Sequence, residues 1–258
     1  MKILLFTAIV CFMMNFQLLY SQVEDISTDR PDQSESPLLV PKGYFQMEAG
    51  FVSENDKPSP GVKHNVLSAP SLLFRYGLSK NVELRAGIEL ISNSVTVNTS
   101  VSQTGFGPFS AGTKIKLFTE KGSMPEASFL FSVSIPFKKN SAFQSEYIGS
   151  EFRLLMTNTL SKRFSLSYNL GGEWGAGSPG ATGIYTLSLG AVVAKKLSAF
   201  AELYGFLPEK SSPDHRFDAG LTYLIMKNIQ ADVSAGAGIS ENSPDFFIGF
   251  GISLRIPK

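Results

Sequence analysis

The 258-residue sequence has one cysteine, one tryptophan and two histidines. A lone Cys11 excludes a disulfide framework and a zinc ribbon. His64 and His215 leave few places for a histidine-based catalytic or metal site. An excess of charge of either sign is also missing, with Lys and Arg at 23 against Asp and Glu at 22. Nothing in that balance equips the chain to follow a phosphate backbone, so nucleic acid is not an expected partner. Charged residues make up 17% of the chain, against roughly 25% in an average soluble domain. Beyond Phe16 no apolar run approaches the roughly 18 residues of a membrane-spanning helix, so any membrane span has to be built from strands.

What the chain does have is 21 Phe, 23 Gly and a hydrophobic share of 43%. Lys2 followed by the apolar run Ile3 to Phe16 suits a secretory signal, with cleavage near Ser21 or Gln22. The expected organisation is a signal at 1–22, a periplasmic N-terminal segment at 23–42 and a barrel at 43–258.

From Phe45 onward the dominant period is two. Phe164, Leu166, Tyr168, Leu170, Gly172 and Trp174 alternate with Ser165, Ser167, Asn169, Gly171 and Glu173. Phe246, Ile248, Phe250, Ile252, Leu254 and Ile256 alternate with Gly249, Gly251, Ser253 and Arg255. Units of this kind, bounded by turn residues, predict strands at 43–51, 66–77, 82–91, 107–118, 125–137, 148–160, 164–174, 183–194, 199–206, 216–225, 229–239 and 246–256. Short connections (78–81, 119–124, 161–163, 195–198, 226–228) alternate with longer polar ones (52–65, 92–106, 138–147, 175–182, 207–215, 240–245). The pattern predicts an all-β fold, a twelve-stranded antiparallel transmembrane β-barrel of the bacterial outer membrane, with long loops outside and both termini periplasmic. A soluble sandwich or lipocalin-like barrel would alternate too. Its solvated face, however, is usually rich in Lys and Glu, whereas this polar face is mostly Ser, Gly, Thr and Asn. Tyr76, Tyr168, Trp174 and Tyr223 are expected at the membrane interfaces.

Several motifs carry a family resemblance. The block Thr28-Asp29-Arg30-Pro31-Asp32-Gln33-Ser34-Glu35-Ser36-Pro37 leads into Val40-Pro41-Lys42-Gly43 and Phe45-Gln46-Met47-Glu48. With Leu73 to Leu78, Val82 to Arg85 and Leu160 to Gly171, it resembles an outer-membrane transporter family of the phenol-degradation meta-pathway type, of the kind found in Bacteroidetes. The resemblance implies an outer-membrane barrel passing small, in part hydrophobic, molecules. The end, Arg255-Ile256-Pro257-Lys258, departs from the aromatic terminus common among such barrels.

Neither a catalytic site, a metal site nor a cofactor is expected. Asp214 and His215 are neighbours in a long polar loop without an orienting partner. The glycine pairs near 171 and 236 lie in strand patterns with no phosphate-loop context. Charges are the informative residues. Arg or Lys facing lipid at the midplane costs about 2–4 kcal/mol. Glu48, Arg75, Glu83, Arg85, Glu89, Lys114, Lys116, Glu151, Arg153, Glu173, Glu202, Asp218, Asp232 and Arg255 are therefore assigned to the lumen. The signs are mixed, so bracing of the wall is as good a reading as ion selection. Asp29, Arg30, Asp32 and Glu35 mark the N-terminal segment as a candidate lumen plug, with Arg30 reaching an acid such as Glu83 and the Asp residues reaching Arg85 or Arg255. The expected function is a monomeric passive channel or transporter for a small-molecule solute. The alternative is a non-conducting barrel with a packed lumen, in which Phe200, Tyr204 and Phe247 could take part. Outer-membrane lipid and the barrel-assembly machinery are the expected partners.

Overall fold

The computed structural model describes residues 24–136, 143, 147–175 and 180–256. The expected signal, most of the loop at 138–147, half of that at 175–182, and Pro257-Lys258 lie outside the described residues. The strands are β1 (Phe45–Ser59), β2 (Val62–Gly77), β3 (Val82–Thr96), β4 (Ser100–Phe106), β5 (Phe109–Phe118), β6 (Glu126–Ile135), β7 (Gly149–Thr159), β8 (Phe164–Trp174), β9 (Ala181–Ala194), β10 (Leu197–Pro208), β11 (Asp214–Met226), β12 (Ile229–Gly238) and β13 (Phe246–Ile256). Each pairs antiparallel with its neighbours, and β1 meets both β2 and β13, so the sheet closes on itself. The lower half of β3 pairs with β5 and its upper half with β4. β4 and β5 are thus one stave interrupted at Gly107-Pro108, and thirteen segments form the twelve staves that the period of two predicts. Closure leaves no edge in the ring of paired staves, as a wall in hydrocarbon requires, and the free edge of β4 belongs to the hairpin above it.

The barrel is inverted relative to a soluble protein. On β13, Phe250 is 57% exposed whereas Arg255 is 3% exposed and Ser253 is fully buried. The same alternation turns Leu187, Leu189, Phe217, Leu221 and Val233 outward and Glu202, Asp218 and Asp232 inward. Aromatic rings stack along the outside: Phe51 on Phe250 at 4.9 Å, and Phe152 on Trp174 at 5.3 Å. Trp174 and Tyr223 are exposed, and Tyr76 and Tyr168 are half-buried.

The upper rim departs from the sequence reading. Much of the expected loop at 52–65 is the top of a β1–β2 hairpin, and the expected loop at 92–106 is a β3–β4 hairpin. Both faces of the latter meet water, so its residues show no apolar alternation to read. It is held by its backbone ladder and by hydroxyl pairs such as Ser94 with Ser102 and Thr104 with Ser92, each at 3.0 Å. His64 and His215 accordingly sit in strands, not in loops.

Candidate functional site in the barrel lumen

Residues 24–44 precede β1 and run inside the barrel. The segment enters at the short-turn rim, where Ile26 N donates to Lys227 O at 2.7 Å and an Arg255 guanidinium N–H donates to Glu24 O. It crosses to β8, β9 and β10, returns past β5 and β6, and leaves beside Gly77, whose carbonyl accepts from Gly43 N at 2.7 Å. Three prolines, Pro31, Pro37 and Pro41, keep it out of helix and lower the entropy lost on ordering it.

Strand side chains hold it largely by its backbone. The Glu202 carboxylate accepts the consecutive N–H groups of Gln33 and Ser34 at 2.7 and 2.8 Å. The Asn169 amide accepts from Glu35 N at 2.7 Å and donates to Glu35 O at 3.1 Å, as a neighbouring strand would. Glu83 accepts from Val40 N at 2.7 Å, Glu48 from Asp29 N at 3.0 Å, and Ser128 Oγ donates to Pro37 O at 2.6 Å. Thr186 pairs with Ser34 at 2.6 Å, and Ser188 donates to Asp32 at 3.1 Å.

Two ionic clusters, on opposite walls, then fix it sideways. Asp29 meets Lys114 with both carboxylate oxygens at 2.9 Å, Arg85 at 2.5 Å and Arg75 at 3.1 Å. Arg75, fully buried, grips Glu83 bidentately at 2.8 and 2.9 Å and Glu48 at 2.8 Å. Glu35 adds a contact to Arg85 at 2.9 Å. Across the bore Arg30 reaches Asp232 at 3.1 Å and Phe250 O at 3.2 Å. These are charge-assisted bonds in a poorly hydrated interior, where removing one member of a buried pair costs about 3–5 kcal/mol. Burial alone would push the Asp29 carboxyl up, but Arg75, Lys114 and Arg85 outweigh it and hold that carboxyl well below the usual carboxylate range. Among the described residues no cation pairs with Asp32. Burial and the charge of Glu202 push its carboxyl well above that range.

The residues assigned to the lumen thus divide. Glu48, Arg75, Glu83, Arg85, Lys114, Glu202 and Asp232 contact the N-terminal segment directly. Arg153 pairs with Glu151 and donates to Gln33 O at 3.2 Å. Asp218 lies opposite Glu202 in register, as Glu173 lies opposite Glu151. Glu89 lines a cavity above the segment, and Lys116 pairs with Glu126 at 2.7 Å. One guess of partner is corrected. Arg30 meets Asp232, because Glu83 is already bound by Arg75 and Val40 N. Arg255 donates to the Glu24 carbonyl, and Asp29 reaches Arg85. The Asp214-His215 neighbours also part company, since adjacent strand residues face opposite ways. Asp214 binds Arg216 at 2.7 Å, and His215 Nδ1 lies 2.8 Å from the Tyr185 hydroxyl.

Sequence reasoning missed Gln46, Ser128, Asn169, Thr186 and Ser188, polar-face residues without charge. It also missed Gly50 and Gly251, which pair across the β1–β13 seam. A β-carbon on either would collide with the Arg30 guanidinium. The available signal was a glycine on the polar face of each seam strand.

Two cavities flank the segment, and Arg30 borders both. One of about 360 Å³ opens toward the short-turn rim beside Asp32, Ser161 and Phe200; the other, of about 500 Å³, lies above and is lined by Ser71, Arg85, Glu89, Ser110, Ser132 and Ser134.

An apolar exterior, a closed wall and a charged interior threaded by the chain's own start define an outer-membrane type of β-barrel. The chain belongs to the family described as "Putative MetA-pathway of phenol degradation", whose match spans residues 28–256 and so begins inside the lumen segment. No curated protein matches it in sequence. Among solved structures it is similar to an outer membrane channel from Pseudomonas putida F1, with 13% identity, a TM-score of 0.63, and 88% of this chain and 99% of that one covered. It is also similar to the KdgM porin, with 12% identity, a TM-score of 0.53 and coverage of 81% and 98%. A third likeness is the translocator domain of the autotransporter NalP from Neisseria meningitidis, with 12% identity, a TM-score of 0.52 and coverage of 84% and 90%. At these identities the likeness is one of fold.

Proposed function

We propose that the chain is a monomeric outer-membrane channel for small solutes that rests closed, with residues 24–44 as a removable plug. Both termini lie on the periplasmic side in this reading, and the barrel carries out no chemistry. The observation that supports it is how the segment is held: by polar side chains on its backbone and by two ionic clusters, all exchangeable for water, with cavities on either side. The upper cavity offers serine hydroxyls and charges beside Leu72, Ile88 and Leu130, a mixed lining for a small solute with polar and apolar parts. Deleting Val23 to Pro37 is expected to raise conductance in planar bilayers, or solute uptake into liposomes, severalfold. Unchanged permeability in a deletion that still runs as a heat-modifiable barrel rejects the plug.

One observation favours a non-conducting barrel instead. Tyr204 and Phe247, 2% and 6% exposed, meet edge to face at 6.5 Å with Arg216 over the Phe247 ring at 6.0 Å, filling bore above Glu202. On that reading the deletion conducts nothing.

A further inference from the structure

We propose that the socket around Asp29 is a carboxylate-binding site, and that a small organic acid in solution competes with Asp29 for it. This rests on the channel reading and names the solute class that it would admit.

Arg75 is satisfied by the wall itself, through Glu83 and Glu48. Lys114 and Arg85 are not. Lys114 Nζ is fully buried, and its contacts are Asp29 Oδ1 and Oδ2 at 2.9 Å, Ser36 O at 2.8 Å and Glu35 Oε2 at 3.7 Å. All belong to the N-terminal segment. Arg85 bonds Asp29 and Glu35 closely and the wall only through Glu83 at 3.4 Å. Withdrawal of the segment therefore leaves two cations on adjacent strands, β3 and β5, facing the bore. The wall cluster then holds three cations, Arg75, Arg85 and Lys114, against the two carboxylates Glu48 and Glu83, one net positive charge. The socket is shaped for a two-oxygen planar anion, because Lys114 approaches both oxygens of Asp29 while the two guanidinium groups approach Oδ2. Arg85 also lines the upper cavity, so a solute entering from above meets it first. Such a ligand supplies what Asp29 supplies, and its binding favours the withdrawn segment to the extent that it prefers that state.

The test is calorimetric titration of the full chain in detergent, wild type and Asp29→Asn, with succinate, with neutral 1,4-butanediol and with sulfate at constant ionic strength. The Asn variant is expected to bind succinate at least about tenfold more tightly than wild type, or about 1.4 kcal/mol. Butanediol and sulfate should bind far more weakly, and adding Lys114→Gln should abolish the gain. Equal succinate affinity in wild type and a heat-modifiable Asn variant overturns the proposal, as does equal binding of butanediol or sulfate. Should the Asn variant fail to assemble, wild type carries the test: succinate, and not butanediol, has to increase protease cleavage within residues 24–44. No current is measured, so a barrel that binds succinate but does not conduct defeats the channel reading alone.

Discussion

At the scale of single residues, Asp29 and Arg30 do opposite jobs on opposite walls, and the wall is carved to fit the second. The three atoms nearest a β-carbon built on Gly50 all belong to the Arg30 guanidinium. Gly50→Ala should therefore evict that group while leaving the β1 ladder in place, stranding Asp232 and raising the open fraction of single channels about tenfold or more. An open fraction equal to wild type, with the variant folded, would show that Arg30 does not hold the segment. The charged half of this site was legible because parity along a strand decides which face a residue takes, and charge cannot face lipid. Which partner each charge meets was not legible. That depends on the height at which the segment crosses and on which acids the wall has already satisfied, as Glu83 shows.

At the scale of elements, strands with one face in lipid were readable and strands standing clear of it were not. β8 falls at 164–174 in both sequence and structure because Phe164 to Trp174 alternate without a break, whereas Ser92 to Phe106 are mostly small and polar on both faces and gave no sign of the β3–β4 hairpin. The outward face of β8 supplies a direct probe. Trp174 is the sole tryptophan, 42% exposed and stacked on Phe152 at the long-loop end of the strand. In vesicles of brominated lipid its fluorescence should be quenched more by bromines near the headgroup than by bromines at the chain ends. Stronger quenching from the bilayer centre would misplace β8 by several residues.

For the whole molecule, closure should depend on pH through two carboxyls of the segment that are shifted in opposite senses. Once the segment withdraws, both return toward ordinary carboxylate values. The grip of Asp29, whose pKa is lowered in place, is complete above the ordinary range and lost as pH falls below it. The contribution of protonated Asp32, whose pKa is raised in place, is complete below the ordinary range and fades as pH climbs through and above it. Facing Asp32 are the acids Glu202 and Asp218 and the hydroxyl of Ser188, so deprotonation adds a like charge to an acidic corner. The barrel should be tightest in mild acid, and its open fraction should rise as pH climbs above the ordinary carboxylate range, by at most about 1.4 kcal/mol per pH unit. Asp32→Asn should flatten that rise; an unchanged slope assigns it to other groups.

Arg30 has one more consequence, for how the barrel is made. Its guanidinium lies against Gly50 of the first strand and bonds the Phe250 carbonyl of the last, so it sits astride the one join between the two ends of the sheet. Every other seam unites strands that lie close together in the sequence. This one unites strands about 200 residues apart in sequence, with a large entropic cost of meeting, and the stretch just upstream of the first strand reaches over to pin them from inside. The segment would thus act as a rivet: a newly exported chain that closes with its start tucked in gains a fastening to both ends of the sheet, and a chain that closes without it has an unfastened hoop.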